Sequence, residues 1–438
     1  MKNLKENKKK LVFVLDNIKN LLGLNKMSEN FIVFSNVHLG FLMFYTLQLV
    51  FMNTLLRRFS DGNDIIYLYN MIFFSFIPVG MMLAAFSIKK KSFILTMRSS
   101  LYLWIGILIV TLSLIITKQL DRFCYLLAFV SSLANGCYWI AYYIALTDYT
   151  DIYNRDVGLS VIGIYTGLAN VIIPLVGGYI IKIFENYTGY IIMFCFAFAV
   201  ATLSILETRN FKIHKKNIED EKDTDKEVHM LVAIKYIIKD KIWLYSSLSE
   251  FFRGIRDGVF IFLLNVLIFS VSANEALVGI NAFIAGVINI ISNWVLGKIL
   301  SNSVKDNKIR LLIISVSVLF SSSFLLLLKL NIFTLITMTC INAFFTIFIQ
   351  NITQSVFCLS VQINKESKNL RVESFVMKSY FLAFGRFIGI LFMLILPETD
   401  LFTVLGIIFL TLLQIGTVIT AQKTILLIKK SENQESCN

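Results

Sequence analysis

About twelve runs of mostly apolar residues fill this 438-residue chain, and no other feature restricts its fold so severely. A helix rises about 1.5 Å per residue, so roughly 20 residues cross a hydrocarbon core about 30 Å thick. Inside lipid every backbone polar group has to pair within its own structure, and runs of this length do so as helices. The predicted spans are 31–56, 65–88, 93–116, 123–147, 158–181, 189–207, 242–270, 276–300, 311–328, 331–361, 373–396 and 401–428. Composition agrees: 57% of residues are hydrophobic and 16% charged, with a mean hydropathy of +0.73, whereas soluble domains carry about a quarter charged residues. The lysine-rich start, Lys2 to Lys10, leads into a mixed segment with no uncharged core or small-residue cleavage site, so no cleavable signal peptide is expected.

The two halves read as one module written twice. Shifted by about 215 residues, Asn154-Arg155-Asp156-Val157 to Tyr165 falls over Asn369-Leu370-Arg371-Val372 to Tyr380, and His38 over Arg253. Parallel repeats of six helices around a central pathway are a transporter architecture. The repeat gives a mechanism class and leaves the substrate unnamed.

Basic residues set an expected orientation. The amino-terminal arm, Lys89-Lys90-Lys91, the central loop, Lys305/Lys308/Arg310, Lys365/Lys368/Arg371 and Lys429-Lys430 hold most of the 41 Lys and Arg. The alternate loops hold few: Arg57, Arg58, Lys118, Arg122, Lys182 and Lys329. That asymmetry places both termini in the cytoplasm of a plasma-membrane protein. The formal charge of +13 then follows from topology and contact with anionic lipid, and no nucleic-acid partner is needed. Residues 1–30 form a basic arm in which Leu11, Leu15, Ile18 and Leu22 recur at helical spacing, as in an interfacial helix or else a disordered tail. Bundles at 31–207 and 242–428 are expected on either side of a charged linker, 208–241, with a cytoplasmic tail at 429–438. Within the linker the run Glu219 to Glu227 cannot bury apolar surface.

Other classes find little support. Cys124, Cys137, Cys195, Cys340, Cys358 and Cys437 form no C-x-x-C pair and read as small apolar side chains. His38, His214 and His229 are too separated for a metal site. No G-x-x-x-x-G-K-[ST] loop is present, which argues against an ATP-driven motor in this chain. An enzyme would need clustered catalytic groups, and the one candidate, Asp148, Asp151 and Asp156, reads as a solvated loop. No cofactor is called for, and the chain is read as a monomer whose partners are a small-molecule substrate, the lipid bilayer and protons.

Charges inside apolar runs point to function, because each costs on the order of 2.5–3.5 kcal/mol at the bilayer centre on the insertion scale. The seventh run holds Glu250, Arg253, Arg256 and Asp257, roughly 12 to 22 Å from its start at Ile242. Glu250, Arg253 and Asp257 share one face through their i, i+3 and i+7 spacing. They are either a self-neutralising network or a pathway arginine beside a carboxylate available to protons. Arg386, halfway along the eleventh run, has no acid in its own helix and needs Asp257, Glu250 or the substrate as partner. His38 is the equivalent of Arg253 in the first run and could relay protons or simply pack. Asn135, Trp139 and Tyr142 share a face of the fourth run, and Gln350 and Gln354 a face of the tenth, as cavity walls require; interhelical hydrogen bonding is the alternative for the amides. Arg98 reads as an interfacial anchor.

Six plus six helices joined by a charged loop resemble the major facilitator superfamily over residues 31–428. Gly167 followed by Pro174-Leu175-Val176-Gly177-Gly178 is similar to the fifth-helix motif of its antiporters, with Ala169 and Ile173 where further glycines are usual. Gly136-Cys137-Tyr138-Trp139, Asn154-Arg155-Asp156 and Gly254 to Phe260 resemble a poorly characterised subgroup from Gram-positive bacteria. Two family features are missing. The loop after the second helix, Ala84 to Lys91, has no acid for the usual gating motif, and Ser131 and Ser132 stand where proton-driven drug exporters carry an arginine. The resemblance implies an all-α, twelve-helix secondary transporter working by alternating access, with any coupling group in the seventh helix. The positive interior favours an anionic or zwitterionic substrate. A multidrug efflux antiporter and a non-transporting receptor of the same fold remain as alternatives.

Overall fold

A computed structural model describes residues 27–59, 64–150, 154–184, 187–212, 228–272, 274–300, 305–328, 331–363, 369–397 and 399–435. Among these, twelve helices are long and apolar enough to cross a membrane. In chain order they are α1 Glu29–Arg58, α2 Asp64–Lys90, α3 Phe93–Ile116, α4 Leu120–Tyr149, α5 Arg155–Ile183 and α6 Thr188–Asn210, then α7 Lys241–Ser272, α8 Ala276–Ile299, α9 Asn307–Leu327, α10 Ile332–Val361, α11 Arg371–Ile395 and α12 Asp400–Ser431. Each predicted run is present, with ends within four residues of those expected.

The helices carry apolar side chains on all sides, as a lipid environment requires. In α3, Met97, Leu101, Trp104 and Leu108 are buried while Tyr102, Leu103, Ile109 and Val110 are exposed. α2 is broken at Phe76, where Pro78 in the first turn of the following segment supplies no backbone donor. Helices α1 to α6 pack as one bundle and α7 to α12 as the other; the bundles meet along two seams, α5 against α8 and α2 against α11. Arg98, near the start of α3, donates to the Thr208 hydroxyl at 2.9 Å and carbonyl at 3.1 Å, fastening α3 to the end of α6.

Helix starts and ends at one face are joined by Asn30, which exchanges hydrogen bonds of 3.0 Å with the Lys212 backbone. This is the terminal face, since twelve spans return the chain to the side on which it began. Between the bundles, a short helix, Met230–Lys239, buries Ala233 and Ile237 against α7 and α11 and leaves Leu231, Val232 and Ile238 exposed. The Glu219 to Glu227 run and the amphipathic stretch Leu11 to Leu22 lie outside the described residues.

Within the second bundle α7 and α11 cross backbone to backbone. Gly254 and Gly258 of α7 meet Gly385 and Gly389 of α11, and a Cβ added at Gly258 would stand 2.7 Å from the Arg386 Cα. Small residues four apart permit such an approach between membrane helices. The crossing delivers the charged middle of α7 and Arg386 to one place.

Candidate functional site

The charges of α7 form a buried network. Arg253 donates to Glu250 at 2.5 Å, and its Nε lies 3.8 Å from Asp257. On α11, Lys378 approaches Glu250 at 3.6 Å, donates to the Gln354 amide oxygen, and sits 4.7 Å from the Tyr143 ring centre. Glu250 is fully buried. A buried acid is retained only when paired, and Arg253 and Lys378 pair it here.

Arg256 is held differently. Its guanidinium donates to Asn342 Oδ1 at 2.5 Å, Thr346 Oγ1 at 3.3 Å and Thr411 Oγ1 at 3.4 Å, and lies 3.7 Å over the Phe260 ring. Every partner is neutral. Arg386 lies 4.9 Å over the Phe74 ring, and its Nε has no hydrogen bond. Among the described residues neither arginine has a carboxylate within 4.0 Å; Asp257 is the acid whose field reaches both.

A central cavity of about 470 Å³ opens between the bundles. From α7 and α11 it receives Arg253, Arg256, Asp257 and Arg386. From α4 it receives Trp139, Tyr142 and Tyr143, with Trp139 and Tyr142 edge to face at 5.0 Å. Gln350 and Gln354 line it from α10. Of the residues expected at the pathway, six meet on this surface: Trp139, Tyr142, Arg253, Arg256, Gln350 and Gln354, joined by Asp257 and Arg386.

His38, Asn135 and Glu250 stand behind that surface. His38 is buried against Tyr142, with ring centres 4.5 Å apart, and its Nδ1 is 3.0 Å from the Tyr138 hydroxyl. Asn135 is buried beside the Tyr45 hydroxyl. Sequence reasoning passed over an amide belt on the cavity wall, in which Asn281 bonds Asn265 at 3.1 Å and Thr46 bonds Asn170 at 3.0 Å. Each is a polar residue in an otherwise apolar run of α1, α5, α7 or α8, and that was the available signal.

The terminal face is closed across the bundles by ion pairs. Lys89 of α2 pairs with Glu373 of α11, which also accepts from the His229 backbone at 3.0 Å. Asp156 of α5 receives Lys308 at 3.0 Å and Ser355 at 2.8 Å, and Asp148 of α4 pairs with Arg371 of α11. The acid missing from the loop after α2 is thus supplied from the other bundle. Asp148 and Asp156 are bound to cations rather than solvated alone, and Asp151 lies outside the described residues.

Known proteins give the arrangement its place. The chain matches the family model of the Major Facilitator Superfamily over residues 95–363. It is 23% identical over 275 residues to the uncharacterised protein YqgE of Bacillus subtilis (strain 168), an alignment covering 62% of this chain and 60% of that one. A crystal structure of the E. coli fucose:proton symporter FucP superposes with a TM-score of 0.65 at 11% identity, covering 90% of this chain and 98% of FucP. A crystal structure of FucP in the outward conformation gives 0.64 at 10% identity over the same shares. At these identities the likeness is one of fold. Twelve spanning helices in two six-helix bundles, with the family model matched over more than half the chain, make this multi-pass membrane protein a member of the major facilitator superfamily.

Proposed function

We propose that the chain is a secondary active transporter of the cell membrane that carries a small organic anion or zwitterion by alternating access, with the terminal face in the cytoplasm. One observation carries the choice of substrate charge. Arg256 and Arg386 line the cavity, and among the described residues no carboxylate lies within 4.0 Å of either. A cation kept at membrane depth against neutral groups is costly unless something negative visits it.

Alternating access is supported by the ion pairs at the terminal face, which join the two bundles and would have to part for that face to open. Cytoplasmic orientation follows from the basic loops. For coupling, Arg253 lies between Glu250 and Asp257, so a shift of the guanidinium towards Glu250 frees Asp257 for a proton, and a shift towards Asp257 leaves Glu250 with Lys378 alone. The aromatic wall of Tyr45, Trp139 and Tyr142 is the observation that favours a second reading, a multidrug exporter. The first bundle brings no carboxylate to that wall among the described residues, which suits hydrophobic cations poorly.

A thermal-shift screen of the purified protein against metabolites and antibiotics, followed by counterflow of each hit in proteoliposomes, tests the reading. Anionic or zwitterionic hits that exchange across the membrane are expected. Hydrophobic cations as the exchanging hits would favour the exporter, and binding with no exchange would favour a receptor.

A further inference from the structure

The charge on the cavity is uneven, and its sum is informative. Four cations, Arg253, Arg256, Lys378 and Arg386, surround two acids, Glu250 and Asp257. Arg253 and Lys378 account for Glu250 and Asp257 through contacts of 2.5, 3.6 and 3.8 Å. Two guanidiniums are left, those of Arg256 and Arg386, and both reach the cavity. Their supports are preformed: oxygens of Asn342, Thr346 and Thr411 with the Phe260 ring for one, the Phe74 ring for the other. A guanidinium carries five donors in a planar fork suited to carboxylate and phosphate oxygens. Hydrogen bonds from a charged donor to a charged acceptor are the strong ones.

The facing wall carries no formal charge. Its side chains from the first bundle are neutral, and Tyr45, Trp139, Tyr142 and Tyr143 present ring surface there. A ligand filling this space therefore meets positive charge on one side and aromatic faces on the other. A volume of about 470 Å³ is at the small end for organic ligands.

Resting on the reading of this cavity as the substrate site, we infer that it is built for a divalent organic anion with a flat or ring-shaped body. The negative groups lie towards Arg256 and Arg386, and the body lies on the rings of Trp139 and Tyr142. A dicarboxylate and a phosphomonoester share this chemistry. The valence matters because a single negative charge would leave one of the two guanidiniums uncompensated.

Four probes with one common ring test the inference on the full-length protein by thermal shift and competition: terephthalate, phenyl phosphate, benzoate and benzamide. They carry two, about two, one and no negative charges. Terephthalate or phenyl phosphate is expected to bind at least about tenfold tighter than benzoate, the worth of one charge-assisted hydrogen bond. The preferred member of the pair identifies the acidic group as carboxylate or phosphate. Arg386→Gln should bring the divalent probe down to the level of benzoate, and Arg386→Lys should restore part of the preference. Benzoate binding as tightly as the divalent probes in the wild-type protein would overturn the inference and leave the anion reading standing. Benzamide binding as tightly as all of them would overturn both. Absence of binding by all four probes overturns the inference as well, and the wild-type comparison decides the matter even if the variants fail to fold.

Discussion

Glu373→Gln removes one charge from the closure of the terminal face while keeping the side chain's shape and its acceptor for the His229 backbone. Glu373 is fully buried, and the Lys89 side chain it pairs with is only 8% exposed. Breaking a buried pair by neutralising one partner costs about 3–5 kcal/mol. Because Lys89 ends a helix at the membrane face, where it can turn towards water, the lower figure applies. The pair joins α2 to α11, so it contributes only while that face is shut. Its loss therefore moves the equilibrium between shut and open by about 3 kcal/mol, roughly 100-fold. Spin labels at Lys91 and Asn307, both exposed and one on each bundle, would report the distance between bundles by pulsed electron resonance in a cysteine-free background. A wild-type mixture biased up to about 100 to 1 towards the short distance would approach parity in the variant. The exchange Lys89→Glu with Glu373→Lys should restore the short distance. An unchanged distribution in Glu373→Gln, or an exchange that behaves like the single variant, would refute the assignment of this pair as a gate.

Four other outcomes are expected. Arg253→Ala leaves Glu250 buried with Lys378 alone and should lower the yield of folded protein, whereas Arg256→Ala strands no acid and should lose transport with near-normal membrane insertion; flux and quantified insertion separate the two. Asp257→Asn or Glu250→Gln should uncouple accumulation from the pH gradient and preserve substrate exchange, and gradient-driven accumulation in the double variant would move the coupling group to His38 or to another ion. Gly258→Leu forces α7 from α11 and should destabilise by about 1–3 kcal/mol in a thermal melt, while Gly106→Ala, where an added Cβ meets nothing within 4 Å, should be neutral or gain about 0.5–1 kcal/mol. A cysteine placed at Asp223 should escape an impermeant reagent in sealed cells, since strong labelling would reverse the orientation.

The spans were readable because run length against bilayer thickness is a one-dimensional measure. The shared face of Glu250, Arg253 and Asp257 was readable for a similar reason: helical spacing fixes it before any packing occurs. What the residues could not disclose is how the helices cross. Lys378 enters the network only because Gly254, Gly258, Gly385 and Gly389 let two backbones touch, and that paired G-x-x-x-G spacing is present in the sequence as an unread signal. Of the partners expected for Arg386, neither Asp257 nor Glu250 comes within 4.0 Å, and α2 brings the Phe74 ring to it instead. Asp148 and Asp156 looked like loop acids because their partners, Arg371 and Lys308, are more than 150 residues away along the chain. The 215-residue repeat relates the starts of α5 and α11, and both starts hold residues of the ion pairs that join the bundles, so the symmetry marked the place without naming the pairs.

The seam between α5 and α8 interlocks through glycines: the Asn293 and Ile290 side chains of α8 seat against Gly163 and Gly167 of α5, and Val171 of α5 seats against Gly286 of α8. Added Cβ atoms at Gly279 and Gly286 would stand 2.7 Å from the Pro174 carbonyl oxygen and the Asn170 carbonyl carbon, and one at Gly297 would stand 2.9 Å from the Ser160 hydroxyl. Contacts this close key one bundle to the other. In the proposed rocking motion these side chains would have to leave their places, so resistance would be shared between the seam and the ion pairs of the terminal face. A methyl group added at Gly279 or Gly286 would meet backbone on the other bundle and push the two apart along their longest shared edge.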